Sequence, residues 1–318
     1  MSQAKPRIMR DVLIEALCDR MRRDERIFFL SADFGAPALD RLRADFPRRF
    51  CNVGIAEQNT INLATGLALE GFKAFAYGIA PFISMRAYEQ SRVHLSLMGQ
   101  TKPLNVNIVS VGAGLSYDIS GPTHHCLEDI SIFRTLPNIE LFSPSDPCLV
   151  AAYLERALAL PRPKYLRLDG KPAPDLYPDP SAIDFERGFS VLREGRGVCL
   201  AATGFMTRTA LAAAEALAAE GRPVGVLDAY ILSGLDADTF GRALRPYHTV
   251  VTLEEGFVGC GGLDSLVSQT LERCGLDLKL RRLGLAHRFC FDNGGREFLH
   301  RQNGIDQESV ARFVSQNL

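Results

Sequence analysis

The feature that most constrains this chain is an alternation of short apolar runs with longer segments carrying apolar residues at helical spacing. Residues 9–23 place Val12, Leu13, Ala16 and Leu17 on one helical face, and residues 27–30 read as a buried strand running into Ser31-Ala32-Asp33-Phe34-Gly35. A helix is expected near residues 39–46. A short apolar run then meets Gly54, and a helix runs from Glu57 to residue 69, closed by Gly71. Strands follow at 73–77, 104–111, 139–142 and 165–168, with helices at 84–98, 129–136 and 146–160 between them. This order predicts an α/β fold with a mostly parallel, doubly wound sheet.

The stretch Gly170 to Pro180 gathers prolines in a composition that continues neither helix nor sheet. Beyond it the alternation resumes, with strands expected at 198–202, 224–228, 249–254 and 278–283 and helices at 207–220, after Asp236, through residue 271 and at 308–314. A chain of 318 residues, at roughly 150 residues per domain, has room for two cores. The expected organisation is therefore two doubly wound domains, residues 1–172 and 185–318, joined by a linker at 173–184.

Composition narrows the function classes. Hydrophobic content of 47%, charged content of 23% and a formal net charge of -1 give no reason to expect a nucleic-acid or membrane partner. No apolar run approaches the roughly 20 residues that span a bilayer, and the first residues lack a signal peptide's apolar core, so a cytoplasmic location is expected. The eight cysteines are scattered without a CxxC pair and read as reduced thiols. His124-His125-Cys126 has no second pair at ligand spacing, so no metal is expected on these residues.

In open parallel sheets, ligands sit in loops beyond the carboxyl ends of the strands. Four loops qualify: 31–33, 52–57, 78–82 and the long glycine-rich segment 112–124. They bring together a carboxylate, an aromatic ring and two histidines. Glu57 is the first candidate, although a carboxylate in a helix's first turn is also what the helix dipole favours. Phe82 alone would read as core, His124 alone as a surface side chain, and Asp118 alone as a turn residue.

The ordered set VGIAEQN, RAYEQ, GPTHH, LPN and SPSD resembles the pyrimidine-binding domain of transketolases and deoxyxylulose-phosphate synthases. Past the linker, ATGFMTRTALAAAEAL, LEEGFVGCGGLDS and FDNGGREFLHRQNGID are similar to the C-terminal domain of the same family, so the resemblance covers nearly the whole chain. It implies thiamine diphosphate and Mg2+ as cofactors. The family's magnesium-binding GDG and following asparagine pair have no counterpart here, which places that domain on another polypeptide. The chain is thereby identified as the C-terminal subunit of a split transketolase. Such a subunit transfers a ketol unit from a ketose to an aldehyde, and it acts only with an N-terminal subunit that carries the GDG and asparagine-pair motif, in an α2β2 assembly with sugar or sugar-phosphate substrates.

The resemblance also assigns residues. Glu57 matches the glutamate that hydrogen-bonds the cofactor's aminopyrimidine and favours the tautomer able to take the thiazolium proton. Phe82 matches the stacking aromatic; Ile79 stands where many relatives have a second one, and Ile55 lies beside the same ring. His124 matches the histidine that meets the donor near its carbonyl, with His125 beside it, and Asp118 the aspartate that reads an acceptor hydroxyl. Arg10, Ser31 and Arg167 match phosphate anchors. A phosphate-binding histidine of transketolases falls near Ser110, and the synthases' arginine has no counterpart among residues 111–114. An unusual sugar or a non-phosphorylated carbonyl compound therefore stays open as acceptor. Three other readings also stay open: a 2-oxoacid dehydrogenase β subunit, a decarboxylating carboligase of the deoxyxylulose-phosphate-synthase type, and a non-catalytic scaffold.

Overall fold

Two sheets with helices on both faces carry the chain; the computed structural model describes residues 5–316. In the first sheet, β1 (Ile27–Ser31), β2 (Phe50–Asn52), β3 (Lys73–Ile79), β4 (Val106–Val111), β5 (Glu140–Phe142) and β6 (Lys164–Leu168) run parallel in the order β2-β1-β3-β4-β6-β5. Side chains alternate across a strand. Phe29, Phe75 and Val109 therefore pack on the side of α1 (Met9–Met21), while Leu30, Ala76 and Ile108 pack with Ile61 and Ala64 of α3 (Glu57–Leu69). Burial on both faces is why β1 reads as an apolar run, Ile-Phe-Phe-Leu, rather than an alternation.

α2 (Pro37–Asp45) follows β1. Between β3 and β4 the single expected helix is replaced by a broken one. Two wide π turns, Phe82–Arg86 and Ser91–Leu97, flank the α turn α4 (Tyr88–Gln90), and a 3-10 turn closes the segment at Met98–Gln100. Apolar periodicity does not report such widened turns, which recur at functional sites. α5 (Asp129–Arg134) and α6 (Pro147–Ala159) complete this half; Asp146 caps α6 by accepting from the Leu149 N–H at 2.8 Å.

The second sheet has the order β11-β10-β8-β9-β7, built from β7 (Phe189–Arg193), β8 (Gly197–Ala202), β9 (Gly225–Ala229), β10 (Tyr247–Phe257) and β11 (Lys279–Leu285). Its helices are α7 (Met206–Ala219), α8 (Ala237–Leu244), α9 (Leu263–Arg273), α10 (Arg296–Asn303) and α11 (Gln307–Ser315). The sequence does not predict β7. It is an edge strand, antiparallel to β9, with only Phe189 fully buried, so it lacks the apolar run that marks the other strands. Nor does it predict α10; Gly304 closes that helix in the left-handed conformation, at φ 66°. Residues 173–184 are irregular apart from a 3-10 turn at Pro180–Ala182 and are tied to both halves: Ala173 pairs with the Arg7 backbone, and the Tyr177 hydroxyl donates to Asp228 at 2.6 Å. Among the described residues, no helix is long and apolar enough to cross a membrane.

Candidate active site

The carboxyl ends of β1 to β4 open on one edge of the first sheet. The turn after β2 needs a left-handed residue, supplied by Gly54 at φ 83°. Asn52 organises that turn: its side-chain oxygen accepts from the Gly54 N–H at 3.0 Å, and its amide donates to Asp33 at 2.7 Å. Asp33 itself sits at φ 53°, a conformation unusual for a non-glycine residue. The turn delivers Glu57 as the first residue of α3. Its side chain is 3% exposed, where the helix dipole favours a carboxylate.

Glu57, Phe82 and His124 belong to one chain of contacts, joined by a residue to which the sequence motifs gave no role. Arg86 donates through Nη1 to Glu57 Oε2 at 2.6 Å, and its guanidinium lies 5.0 Å from the Phe82 ring centroid. Phe82 meets His124 edge to face at 5.3 Å between centroids. The available signal for Arg86 was its place one turn after Phe82 within RAYEQ. Ile55 stands 76% exposed on this edge, and Ile79 ends β3 partly exposed. The chemistry of these groups suits a flat nitrogen heterocycle: the carboxylate can take a hydrogen bond from a ring N–H, and Phe82 carries an aromatic face. Among the described residues, no group of three or more His, Cys, Asp or Glu side chains is placed to hold a metal ion.

The remaining candidates are drawn into the protein. His125 is buried, neither ring nitrogen makes a hydrogen bond of full geometry, and burial lowers its pKa against the opposing influence of the Asp118 backbone and the Glu255 and Asp118 charges. Asp118 is also buried: Oδ1 accepts from Lys171 Nζ and Oδ2 from the Arg296 N–H, both at 2.8 Å. Burial alone would raise its pKa, but Lys171 and the Arg296 N–H bring the net shift down.

The three residues matched to phosphate anchors are likewise engaged inside the chain. Arg10 donates to Asp11 at 2.8 Å, and the Ser31 hydroxyl points at the Phe34 carbonyl at 3.4 Å. Arg167 lies within β6, 3% exposed. Its Nε binds Asp129 at 2.9 Å, and Nη2 donates to the carbonyls of Cys126 and Glu255. The structure thus seats Arg167 as a tie between the halves of the chain rather than on the edge with Glu57.

Behind Asp118 lies a buried cluster. Arg296 forks onto Glu255 at 2.7 and 2.5 Å and reaches Asp169 at 2.6 Å, while His300 meets Glu255 at 2.5 Å. Glu255 also accepts from the Leu115 N–H at 3.2 Å, so the cluster pins the loop of residues 112–124 to the second sheet.

Comparison with known proteins assigns both halves of the chain to a family. Residues 5–171 match the transketolase pyrimidine-binding domain family and residues 188–310 the transketolase C-terminal domain family. The chain is 33% identical over 308 residues to the 6-deoxy-6-sulfo-D-fructose transketolase subunit SqwH of Clostridium sp. (strain MSTE9), covering 96% of this chain and 92% of that one. It is 33% identical over 271 residues to an apulose-4-phosphate transketolase subunit of Actinobacillus succinogenes, covering 84% of each. Among solved structures, a split-gene transketolase described as an inactive β4 tetramer superposes with a TM-score of 0.82 at 32% identity, covering 97% of both chains. The chain therefore belongs to the transketolase family, as a transferase subunit made of the pyrimidine-binding and C-terminal domains.

Proposed function

We propose that this subunit supplies the pyrimidine side of a thiamine-diphosphate site whose diphosphate side, with Mg2+, is held by an N-terminal subunit carrying the GDG and asparagine-pair motif. The observation that carries the reading is the Glu57, Phe82 and His124 edge, with a buried carboxylate at an open apolar lip. Ile55, two residues before Glu57 and 76% exposed, supports a protein partner there. The proposed assembly is α2β2 and cytoplasmic, with residues 173–184 linking the two domains.

Bound thiamine diphosphate supplies the electron sink for breaking and making the carbon–carbon bond. The residues of this chain position and transfer protons. Glu57 accepts a hydrogen bond from the aminopyrimidine edge, Phe82 stacks on its face, and His124 meets the donor ketose near its carbonyl. Loop residues Asp118 and His125 shape the acceptor side. The sulfo-fructose and apulose transketolase relatives act on altered sugars, in keeping with an unusual ketose or aldehyde as substrate here. With Arg167 and Arg10 already paired, a sugar phosphate would draw its charge contacts from the partner or from Arg10 on release from Asp11.

The test is to combine this chain with an N-terminal transketolase section, thiamine diphosphate and Mg2+, and to assay two-carbon transfer from ketose to aldose. Transfer by the mixture and by neither subunit alone is expected. A complex that forms but transfers nothing from any ketose would overturn the reading.

A further inference from the structure

Arg86 already makes both contacts that the proposed cofactor site needs. Its guanidinium hydrogen-bonds the Glu57 carboxylate at 2.6 Å, and it covers the Phe82 ring at 5.0 Å from the centroid. A guanidinium is planar, donates along its edge and stacks on aromatic faces, so it imitates an aminopyrimidine protonated on its ring nitrogen in both respects. Glu57 is paired with a cation whose side chain is 46% exposed and can leave into solvent. The wide π turn Phe82–Arg86 carries both the ring and the cation, in backbone less tightly wound than an α-helix.

From this geometry we infer that Arg86 is an internal occupant of the pyrimidine slot, a latch that the cofactor ring must displace from Glu57 and Phe82 before it can bind. The inference rests on the cofactor reading above. Cofactor affinity is then lowered by the fraction of subunits in which the slot is filled. The latch keeps the Glu57 carboxylate paired while the subunit lacks cofactor. On displacement, Arg86 swings toward the solvent side, where it is already half exposed.

The test is calorimetric titration of thiamine diphosphate, with Mg2+ present, into the complex of this chain with its N-terminal subunit. Arg86→Met keeps an apolar stem over Phe82 and removes the competing charge. It is expected to bind the cofactor about three- to tenfold more tightly than wild type, while Arg86→Lys, which can still pair with Glu57, stays closer to wild type. Melting curves of the cofactor-free complexes identify any variant that fails to fold, and Arg86→Gln then replaces it with the same expected direction. Equal or weaker binding by the charge-removing variants overturns the latch and would make Arg86 either a bystander or a cofactor contact. A wild-type complex that takes up no thiamine diphosphate overturns the cofactor reading itself, and the latch with it.

Discussion

Two carboxylate–arginine pairs of nearly equal length do opposite work in this molecule. Glu255 and Arg296 meet at 2.5 Å with side chains 2% and 7% exposed, and Glu57 and Arg86 meet at 2.6 Å with side chains 3% and 46% exposed. The first is buried among further partners: Asp169, His300, the Leu115 N–H and the ring of Phe205, whose centroid lies 3.6 Å from the guanidinium. Neither partner can leave without stranding a buried charge. The second pair has a rim on one side and water on the other. Exposure of the cation, rather than contact distance, separates a structural tie from a site that can exchange its occupant.

The largest effect expected on stability follows from breaking the buried pair. Arg296→Met leaves the buried Glu255 and Asp169 carboxylates without their arginine and should cost about 3–5 kcal/mol, measured by denaturant unfolding; a cost below about 1 kcal/mol would show that the cluster is not the tie described. The pH dependence has a definite sign. Burial alone would raise the Glu255 pKa, but the Arg296 charge and hydrogen bonds, with His300, hold it well below the usual carboxylate range. Its contribution is therefore complete above the unfolded value of roughly 4.3 and is lost as the pH falls below that.

Its neighbour Glu254 behaves in the opposite way. Burial pushes it up to about 7, and one carboxylate oxygen has no hydrogen-bond partner. A raised acid favours the folded state while protonated, so its penalty grows as the pH rises from roughly 4.3 to about 7 and is full above. Glu254→Gln should raise stability at pH 8 by on the order of 2 kcal/mol and have little effect at pH 4, as read from unfolding curves at the two pH values. A gain of equal size at both would mean that packing, not ionisation, is responsible. The smallest effect is expected at the open pair: Glu57→Gln leaves a cation that water can solvate, and should change stability by no more than about 1 kcal/mol. A loss as large as that of Arg296→Met would erase the distinction between the two pairs.

The parallel strands and the helices between them were legible in the sequence because burial on both faces leaves runs such as residues 198–202, Val-Cys-Leu-Ala-Ala, without polar interruption. β7 and α10 were not, since an edge strand with one buried side chain and a helix rich in charged residues carry little periodic signal. The motifs placed Glu57, Phe82 and His124 together. They could not report that Arg167 turns inward to Asp129, because the direction of a side chain in a strand depends on a partner 38 residues away in sequence. Nor could they report Arg86, whose part depends on two wide turns that only three-dimensional packing reveals.

On the proposed function, Glu57 is a working group in a site shared with another subunit. The most direct measurement is the rate at which bound thiamine diphosphate exchanges its thiazolium proton for deuterium in the two-subunit complex, followed by quenching and NMR. Glu57→Gln should slow that exchange by about 10²- to 10⁴-fold while the complex still forms and still binds the cofactor. Exchange at the wild-type rate in the Glu57→Gln complex would contradict the claim.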